Sequence, residues 1–185
     1  MGNDLGPAGV PWYSSAKLDE TTGPALMRDD DRRLYEKPGH LIRRLQQISL
    51  ALFMDETKGF DVTPVQYSAI LAIRLNPGID QTALCNIVAI DRSTIGDVVG
   101  RLERKKLIKR MPGAQDRRTK LLTITAAGRK LLDDIEPAVQ ATQKRILEPL
   151  TVKERKLLVE MLEKLVHLNN EHSRAPLRIG KEAED

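Results

Sequence analysis

The chain has 185 residues, of which 41% are hydrophobic and only 3% aromatic, and its formal net charge at pH 7 is +4. This length suits one globular domain, and the scarcity of aromatic side chains indicates a core of Leu, Ile, Val and Ala, which is typical of helix bundles. The sequence has no run of 18 apolar residues and no signal-peptide pattern, so we expect a cytoplasmic protein with no membrane span. The single cysteine, Cys85, cannot form an internal disulfide, which fits that compartment.

Both ends of the chain lack apolar periodicity. Residues 1–33 contain turn-forming pairs such as Gly6-Pro7 and Gly23-Pro24, and an acidic run at residues 29–31. This pattern predicts a flexible N-terminal arm over residues 1–33. At the other end, residues 173–185 are expected to form a polar tail.

Three helices are predicted before the basic part of the chain. The first runs from about Leu34 to Lys58 and has a broad apolar surface. Thr63-Pro64 gives the second helix a cap and a proline at its first position, and the helix ends before Asn76-Pro77-Gly78. Asp80 is expected to cap the third helix, which supports the next one from behind.

The fourth helix, from about Asp91 to Lys106, is predicted to have two different faces. Its apolar residues have the spacing of a buried stripe: Ile95, Val98, Val99 and Leu102. The opposite face has small, polar or cationic residues: Ser93, Asp97, Gly100 and Arg104 at the centre, with Thr94, Gly96 and Arg101 on the flanks. A helical glycine costs roughly 1 kcal/mol against alanine. Gly96 and Gly100 therefore indicate close approach to another surface.

A basic β-hairpin is predicted after this helix. Residues 107–110 and 119–125 read as strands, and residues 112–116 as the turn between them. Residues 91–120 contain ten Lys/Arg against four Asp/Glu, a net of +6, whereas the remaining residues have a net of −2. Positive charge concentrated on one element is expected for phosphate binding. Two short helices followed by a basic hairpin have the layout of a winged helix-turn-helix.

Two long helices are predicted after the hairpin. Thr125 caps the first, from Ala126 to about Leu147, and Pro137 is expected to kink it. A capping box at residues 151–154 opens the second, which has a wide apolar stripe: Leu157, Leu158, Met161, Leu162, Leu165 and Leu168. The first helix and these last two offer more leucine surface than one small core covers. We therefore expect a homodimer, whose two recognition helices would lie about one DNA turn, roughly 34 Å, apart.

The hairpin and its flanks match a known pattern. Asp116-Arg117-Arg118, followed by Leu122-x-x-Thr125-x-x-Gly128 and preceded by an amphipathic helix, resembles the MarR family of bacterial transcriptional regulators over roughly residues 35–170. The resemblance implies a mainly α fold with a small β-hairpin wing, that is, a winged helix-turn-helix with a helical dimerisation region. It assigns 34–172 to the MarR-type domain, with 34–60 and 126–172 as dimerisation helices and 62–125 as the DNA-binding lobe. One departure is Lys106, where the family usually has glycine. A lysine there must adopt a left-handed conformation or let the helix end differently.

Eleven residues are candidate contacts to double-stranded DNA. Residues near the start of a recognition helix reach deepest into the groove, so the candidates for base edges are Ser93, Thr94, Asp97 and Arg101. The candidates for phosphate contacts are Arg92, Arg104, Lys105 and Lys120. The resemblance assigns insertion into the minor groove to Arg118, beside Arg117, with Asp116 holding the hairpin tip. The alternative is that the arginine pair is only a solvated charge cluster.

The resemblance also implies a small-molecule effector, since members of the family commonly bind small aromatic or phenolic anions between the dimer helices and the reading head. The candidate contacts are His40, Arg43 and Arg44 on the first helix, with Tyr67 and Arg74 on the second. The alternative is that these arginines are solvated or form dimer salt bridges. The sequence is closest in character to regulators of aromatic-acid catabolism, so a nicotinate-type or benzoate-type acid is expected.

The sequence offers no motif for an enzyme. It has no Ser/His/Asp order, glycine-rich phosphate loop or paired cysteines, and we expect no cofactor. His167 and His172 lie about 140° apart around a helix, which is poor for one metal ion, so no metal is expected. Cys85 is expected to pack rather than to sense peroxide.

Two functions remain open at this point. The first is a repressor of a catabolic or resistance operon, released from a pseudo-palindromic operator by a small aromatic carboxylate. The second is a winged-helix protein that binds another protein, or DNA nonspecifically, without sensing a ligand.

Overall fold

The computed structural model of the protein describes residues 35–113 and 119–178. The predicted N-terminal arm, the hairpin tip at residues 114–118 and the last seven residues lie outside them. The chain divides into two compact units, an N-terminal unit of residues 1–45 and a main unit of residues 46–185. The described residues are mostly helical with a small antiparallel sheet, which confirms the predicted fold class.

The helices and strands of the described residues follow the predicted order. They are α1 (Pro38–Glu56), α2 (Pro64–Leu75), β1 (Ile79–Asp80), α3 (Gln81–Val88), α4 (Arg92–Arg104), β2 (Ile108–Pro112), β3 (Lys120–Ile124), α5 (Ala126–Leu147) and α6 (Val152–Leu168). A 3-10 turn, Asn170–His172, follows α6. Helix α1 is shorter at both ends than predicted. It begins at Pro38, because proline suits the first position of a helix, where its missing N–H is not needed.

Side-chain caps fix the starts of α2 and α5 as predicted. The Thr63 hydroxyl accepts from the Gln66 N–H at 3.3 Å, and the Gln66 side chain accepts from the Thr63 N–H at 3.4 Å. This reciprocal pair is a capping box, of which the sequence analysis anticipated only the threonine. Thr125 caps α5 by accepting from the Gly128 N–H at 3.0 Å. Helix α5 continues without interruption through Pro137.

The sheet has one strand more than predicted. Its order is β1-β3-β2, with Ile79 opposite Leu122 and Ile108 opposite Ile124. Strand β1 has only two residues, Ile79 and Asp80, and so shows no periodicity that a sequence analysis could detect. Strand β1 directly precedes α3 and pairs with β3 of the hairpin, so the sheet connects the helix pair to the hairpin.

One hydrophobic core in the main unit positions the recognition helix. The predicted stripe of α4 is buried, with Ile95, Val99 and Leu102 fully inaccessible and Val98 nearly so. It packs in a cluster with buried residues of α2, α3, the sheet and α5. Burying this stripe fixes which side of α4 faces outward.

Helix α4 ends with Lys106 in the left-handed conformation, at φ 59°. The Leu107 N–H donates to the Leu102 carbonyl at 3.0 Å, and the Lys106 N–H donates to the Glu103 carbonyl at 2.9 Å. This is the Schellman pattern, whose left-handed position is usually glycine. Of the two possibilities for Lys106, the structure shows the first. The helix closes normally, and the lysine backbone is strained by about 1–2 kcal/mol.

Gly128 lies where α5 starts against the turn that follows α4. The Thr125 hydroxyl donates to the Lys106 carbonyl at 2.8 Å, which holds the two elements together. A Cβ added to Gly128 would overlap the Leu107 carbonyl oxygen and would lie 2.8 Å from Cγ1 of Ile124. The Thr-x-x-Gly motif therefore has a packing reason: only glycine lets α5 approach this turn so closely.

The apolar stripes of α1 and α6 remain largely exposed. Helix α6 has no buried residue, and its stripe residues Leu157, Leu165 and Leu168 are more than half exposed. Along α1, the side chains of Leu41, Ile42 and Ile48 are exposed to a similar degree. None of the described helices is long and apolar enough to cross a bilayer.

The first residues of the predicted polar tail are folded back on the main unit. The Leu177 N–H donates to the Asn170 side chain at 2.8 Å, and Arg178 pairs with Glu171 at 2.8 Å. The Arg178 N–H also donates to the Asn86 carbonyl of α3 at 2.9 Å. The sequence predicted only that this segment is polar. The hydrogen bond from Arg178 to Asn86 joins residues far apart in the chain and holds the end of this segment against α3.

Candidate nucleic-acid interface

The outward face of α4 is open, as its sequence pattern predicted. All six predicted DNA contacts within the helix are exposed: Arg92, Ser93, Thr94, Asp97, Arg101 and Arg104. Because the apolar stripe of α4 is buried on the other side, this face presents a continuous polar surface to a partner. The packing of the main unit thus leaves the recognition helix free to enter a groove.

The first turn of α4 is organised by the carboxylate of Asp91. It accepts the Thr94 N–H at 2.9 Å, the Ser93 hydroxyl at 2.6 Å and the Thr94 hydroxyl at 2.7 Å. The hydrogen bond from the Ser93 hydroxyl, followed by those from Thr94, holds the pKa of the Asp91 carboxyl well below its usual range. Asp91 is therefore ionised, and both hydroxyl hydrogens point toward it. The oxygens of Ser93 and Thr94 then offer only lone pairs to an outside partner.

Packing against the described residues does not require either of the two glycines of α4. A Cβ at Gly96 would meet its nearest atom, Nε2 of Gln81, at 3.5 Å, and one at Gly100 would meet a nitrogen of Arg104 at 3.9 Å. Both distances are ordinary van der Waals contacts, so alanine fits at either position. This differs from Gly128, and it agrees with a close approach of α4 to another molecule.

Two predicted phosphate contacts on the helix pair already have partners within the chain. The Lys105 ammonium pairs with the Asp61 carboxylate at 2.9 Å, and it also donates to the Asp61 carbonyl. Arg92 donates to the Thr82 hydroxyl of α3 at 3.3 Å but stays exposed. A phosphate must compete with Asp61 for Lys105, whereas Arg92 keeps most of its donors available.

Only the base of the wing lies within the described residues. Lys120 begins β3 and is exposed, and Arg110 on β2 pairs with Glu103 of α4 at 2.9 Å. This ion pair, which the sequence analysis did not anticipate, ties the hairpin to the recognition helix. The predicted tip residues, Asp116, Arg117 and Arg118, lie outside the described residues.

Three of the predicted effector contacts lie in the N-terminal unit, on the first turns of α1. The Tyr35 ring packs edge-on against the His40 ring, with centroids 5.0 Å apart. Among the described residues, His40 Nε2 is buried without a hydrogen-bond partner. Arg43 and Arg44 are exposed. The buried Nε2 of His40 is available to an additional polar group.

The other two predicted effector contacts lie in the main unit and are engaged. The Tyr67 hydroxyl donates to the Glu136 carboxylate at 3.0 Å, and Arg74 pairs with Asp133 at 2.9 Å. Burial, with the hydrogen bond to Glu136, raises the pKa of Tyr67. These bonds join α2 to α5, a role that the sequence analysis did not foresee. An anion at the Tyr67 hydroxyl must displace Glu136, and an anion at Arg74 must share the guanidinium with Asp133.

Cys85 is half-buried and packs against the core. Burial raises the pKa of its thiol, which disfavours the reactive thiolate. Within the described residues, no three or more His, Cys, Asp or Glu side chains are placed to hold a metal ion.

Comparison with known proteins identifies the family. The profile described as the MarR family matches residues 60–119, which span the helix-turn-helix and the first strand of the hairpin and end before β3. The transcriptional regulator HosA of Escherichia coli O157:H7 is 30% identical over 134 residues, 72% of this chain and 98% of that one. The HTH-type transcriptional repressor NicR of Pseudomonas putida is 28% identical over 153 residues, 83% of this chain and 91% of that one.

Solved structures share the fold. PcaV of Streptomyces coelicolor, in complex with its natural ligand, has a TM-score of 0.68 at 31% identity, over 72% of this chain and 94% of that one. BpsR of Bordetella bronchiseptica, whose DNA binding is regulated by 6-hydroxynicotinic acid, has a TM-score of 0.67 at 29% identity, over 70% and 93%. The repressor CouR, bound to a 23-mer DNA duplex, has a TM-score of 0.68 at 28% identity, over 72% and 95%.

These relatives are transcriptional regulators rather than enzymes. Their similarity extends over nearly the whole length of each relative, and it includes the helix pair and the hairpin described above. The chain therefore belongs to the MarR family of DNA-binding, winged helix-turn-helix transcriptional regulators.

Proposed function

We propose that the protein is a homodimeric repressor that leaves its operator when it binds a small aromatic carboxylate. The observation that carries this proposal is the open face of α4, on which six predicted DNA contacts are exposed while the apolar stripe behind them is buried. A buried stripe gives the helix a fixed orientation, and fixed orientation is what sequence reading in a groove requires.

The exposed apolar surface of α6 supports a dimer. Leu162 and Leu165 are 38% and 51% exposed, and no residue of the helix is buried. A contiguous apolar surface of this kind is unfavourable in water and is typical of an interface. A two-fold dimer presents two copies of α4, so its operator is a pseudo-palindrome with half-sites about 34 Å apart.

The relatives support the chemical class of the effector. PcaV was solved with its natural ligand, and 6-hydroxynicotinic acid regulates DNA binding by BpsR. The proposed contacts to a carboxylate are His40, whose Nε2 has no hydrogen-bond partner among the described residues, and the neighbouring Arg43 and Arg44. Tyr67 and Arg74 are weaker candidates, because each already has a carboxylate partner.

Release requires the acid to favour one conformation of the dimer over the other. A ligand shifts an equilibrium only by its difference in affinity for the two states. The usual coupling is about 1–3 kcal/mol, which corresponds to a 5- to 150-fold change in DNA affinity. We expect the acid to lower the affinity for the operator by a factor in this range.

The test is a gel shift with the DNA upstream of the protein's own gene, at near-physiological salt and with excess nonspecific competitor. Preference for the upstream DNA, lost on adding a benzoate-type or pyridine-carboxylate acid, is expected. The Arg43→Ala variant should bind DNA normally but need more acid for release, whereas Arg174→Ala, an exposed control, should match the wild type. Absence of preference over competitor would favour the protein-interaction or nonspecific DNA-binding function instead.

A further inference from the structure

We propose that α4 reads a cytosine in each operator half-site through Asp97, whose carboxylate accepts a hydrogen bond from the N4 amino group of that base. The inference rests on the proposed operator binding and adds the identity of one base. It is drawn from the charge, hydrogen bonding and glycine content of the α4 face.

Asp97 is an acidic residue at the centre of a face built to meet a polyanion. It is exposed, and its neighbours on the outer side of α4 include Arg101 and Arg104. Asp97 and Arg101 have the four-residue spacing of a helical ion pair, yet the ion pairs among the described residues do not include one between them. Within the described residues Asp97 has no hydrogen-bond or ionic partner, so none of these residues accounts for its presence on this face. Near phosphates its charge is repelled, unless a donor on the DNA compensates for it.

The groups beside Asp97 are also acceptors. The hydroxyl hydrogens of Ser93 and Thr94 are directed to Asp91, at 2.6 Å and 2.7 Å, so their oxygens present lone pairs outward. Ser93 lies one helical turn before Asp97 on the same face. Ser93, Thr94 and Asp97 therefore present acceptors in the middle of this surface, and the exposed donors lie at the two ends of α4, with Arg92 at its start and Arg101 and Arg104 at its end.

The glycines explain how so short a side chain reaches a base. Gly96 precedes Asp97, and Gly100 lies one turn after it on the same face. Neither glycine is required by packing in the described part of the chain, where an added Cβ would have no contact shorter than 3.5 Å. Without these two side chains the backbone of α4 can lie closer to the floor of the groove, and the aspartate carboxylate comes within hydrogen-bond distance of base edges.

The chemistry of the major groove selects the base. Guanine presents two acceptors and thymine an acceptor and a methyl group, so neither satisfies a carboxylate. Adenine has an amino group but places the N7 acceptor beside it, which repels the second carboxylate oxygen. Cytosine presents the N4 amino group as a donor alone. The Asp97 carboxylate, flanked by the acceptor oxygens of Ser93 and Thr94, is therefore complementary to cytosine.

The test starts from a library of duplexes with a random central segment, from which the full-length wild-type protein selects its preferred sequence. Each base pair of the selected sequence is then replaced in turn, and affinities are measured for the wild type, Asp97→Ala and Asp97→Asn. Glu148→Gln serves as the control, since it also removes one negative charge from an exposed side chain outside α4.

One cytosine per half-site should stand out for the wild type. Replacing it by thymine should weaken binding about 5- to 150-fold. For Asp97→Ala, the affinities for the cytosine and thymine duplexes should differ by no more than about twofold. Asp97→Asn should prefer adenine at this position, because an amide pairs with the N6 and N7 groups of that base. Glu148→Gln should keep the wild-type preference, and the melting temperatures should stay close together because Asp97 is exposed.

Two failures are distinguishable. If the wild type selects no sequence, the proposed function itself fails. If the wild type selects a sequence that contains no such cytosine, or if Asp97→Ala keeps every base preference, operator binding stands and the role given to Asp97 is wrong.

Discussion

Helices α4 and α6 have similar apolar stripes, but only α4 buries its stripe within the chain. Ile95 and Leu102 of α4 are completely inaccessible, whereas Leu162 and Leu165 of α6 are 38% and 51% exposed. A stripe at helical spacing predicts that something covers it, but does not say whether this is the same chain or another molecule. Only the tertiary structure distinguishes a helix of the core from a helix of an interface.

The difference also separates two kinds of function. The buried stripe of α4 turns its polar face outward, where it is available to DNA. The exposed stripe of α6 is itself the surface that a second copy is proposed to cover. Helix α4 thus offers its exposed polar face to DNA, and α6 offers its exposed apolar stripe to a second copy.

A charge placed in the stripe of α6 should have the largest effect. Leu162→Glu should prevent dimerisation, because an interface that buries this position would bury an unpaired carboxylate. Light scattering should give a dimer for the wild type and a monomer for the variant, with unchanged helical circular dichroism. Leu75→Glu, which changes a leucine that is 68% exposed at the end of α2, should remain dimeric. A dimeric Leu162→Glu protein would show that α6 is not in the interface.

A cavity in the stripe of α4 should destabilise the fold instead of the assembly. Leu102→Ala removes a completely buried side chain, so the free energy of unfolding should fall by about 2–5 kcal/mol. Leu75→Ala should change it by less than about 0.5 kcal/mol. Denaturant unfolding at one fixed protein concentration measures both. Equal losses for the two variants would mean that α4 is not held by this core.

Replacing each of three glycines by alanine should distinguish a glycine that packing requires from one that DNA contact requires. Gly128→Ala should cost about 1–3 kcal/mol, because its methyl group overlaps the Leu107 carbonyl. Gly100→Ala should stabilise α4 by up to about 1 kcal/mol, because alanine is the better helix former, and yet weaken binding to the selected DNA. Gly96→Ala should behave like Gly100→Ala. Thermal unfolding and DNA titration of the same samples measure both effects, and undiminished DNA affinity would argue against close approach.

Low pH should destabilise the start of α4, and this loss of stability is the smallest of the expected effects. Hydrogen bonds from Ser93 and Thr94 lower the pKa of Asp91 from its ordinary value of 3.8. The stabilisation is therefore complete above about pH 4 and is lost as pH falls through the lower pKa of the folded state. Between pH 5 and pH 2 the wild type should lose more stability than Asp91→Asn, which keeps a neutral cap. Parallel losses in denaturant titrations would exclude this role for Asp91.

Local signals predicted most of the fold. Thr63, Thr125 and Thr151 mark helix starts because a cap and its partner lie within three residues of each other. The stripe of α4 was predicted for the same reason, since helical spacing is a property of neighbouring residues. Strand β1 was missed because two residues carry no period.

Contacts between distant residues were not predictable in the same way. The pair of Lys105 with Asp61 and that of Arg74 with Asp133 join side chains 44 and 59 positions apart, and nothing in the sequence links them. The orientation of Ser93 toward Asp91 is different, because an aspartate cap followed by a hydroxyl two residues later is a local signal. It was available in the sequence and would have shown the acceptor character of this turn.

The mass of the protein–DNA complex is the most direct test of a dimer that forms through α6 and binds DNA through α4, because it depends on both helices. Light scattering of the wild-type protein, alone and mixed with a duplex from upstream of its own gene, gives the number of chains in each species. We expect a free dimer of twice 20.8 kDa and a complex of two chains per duplex. A stable monomer at micromolar concentration, or one chain per duplex, would contradict this expectation.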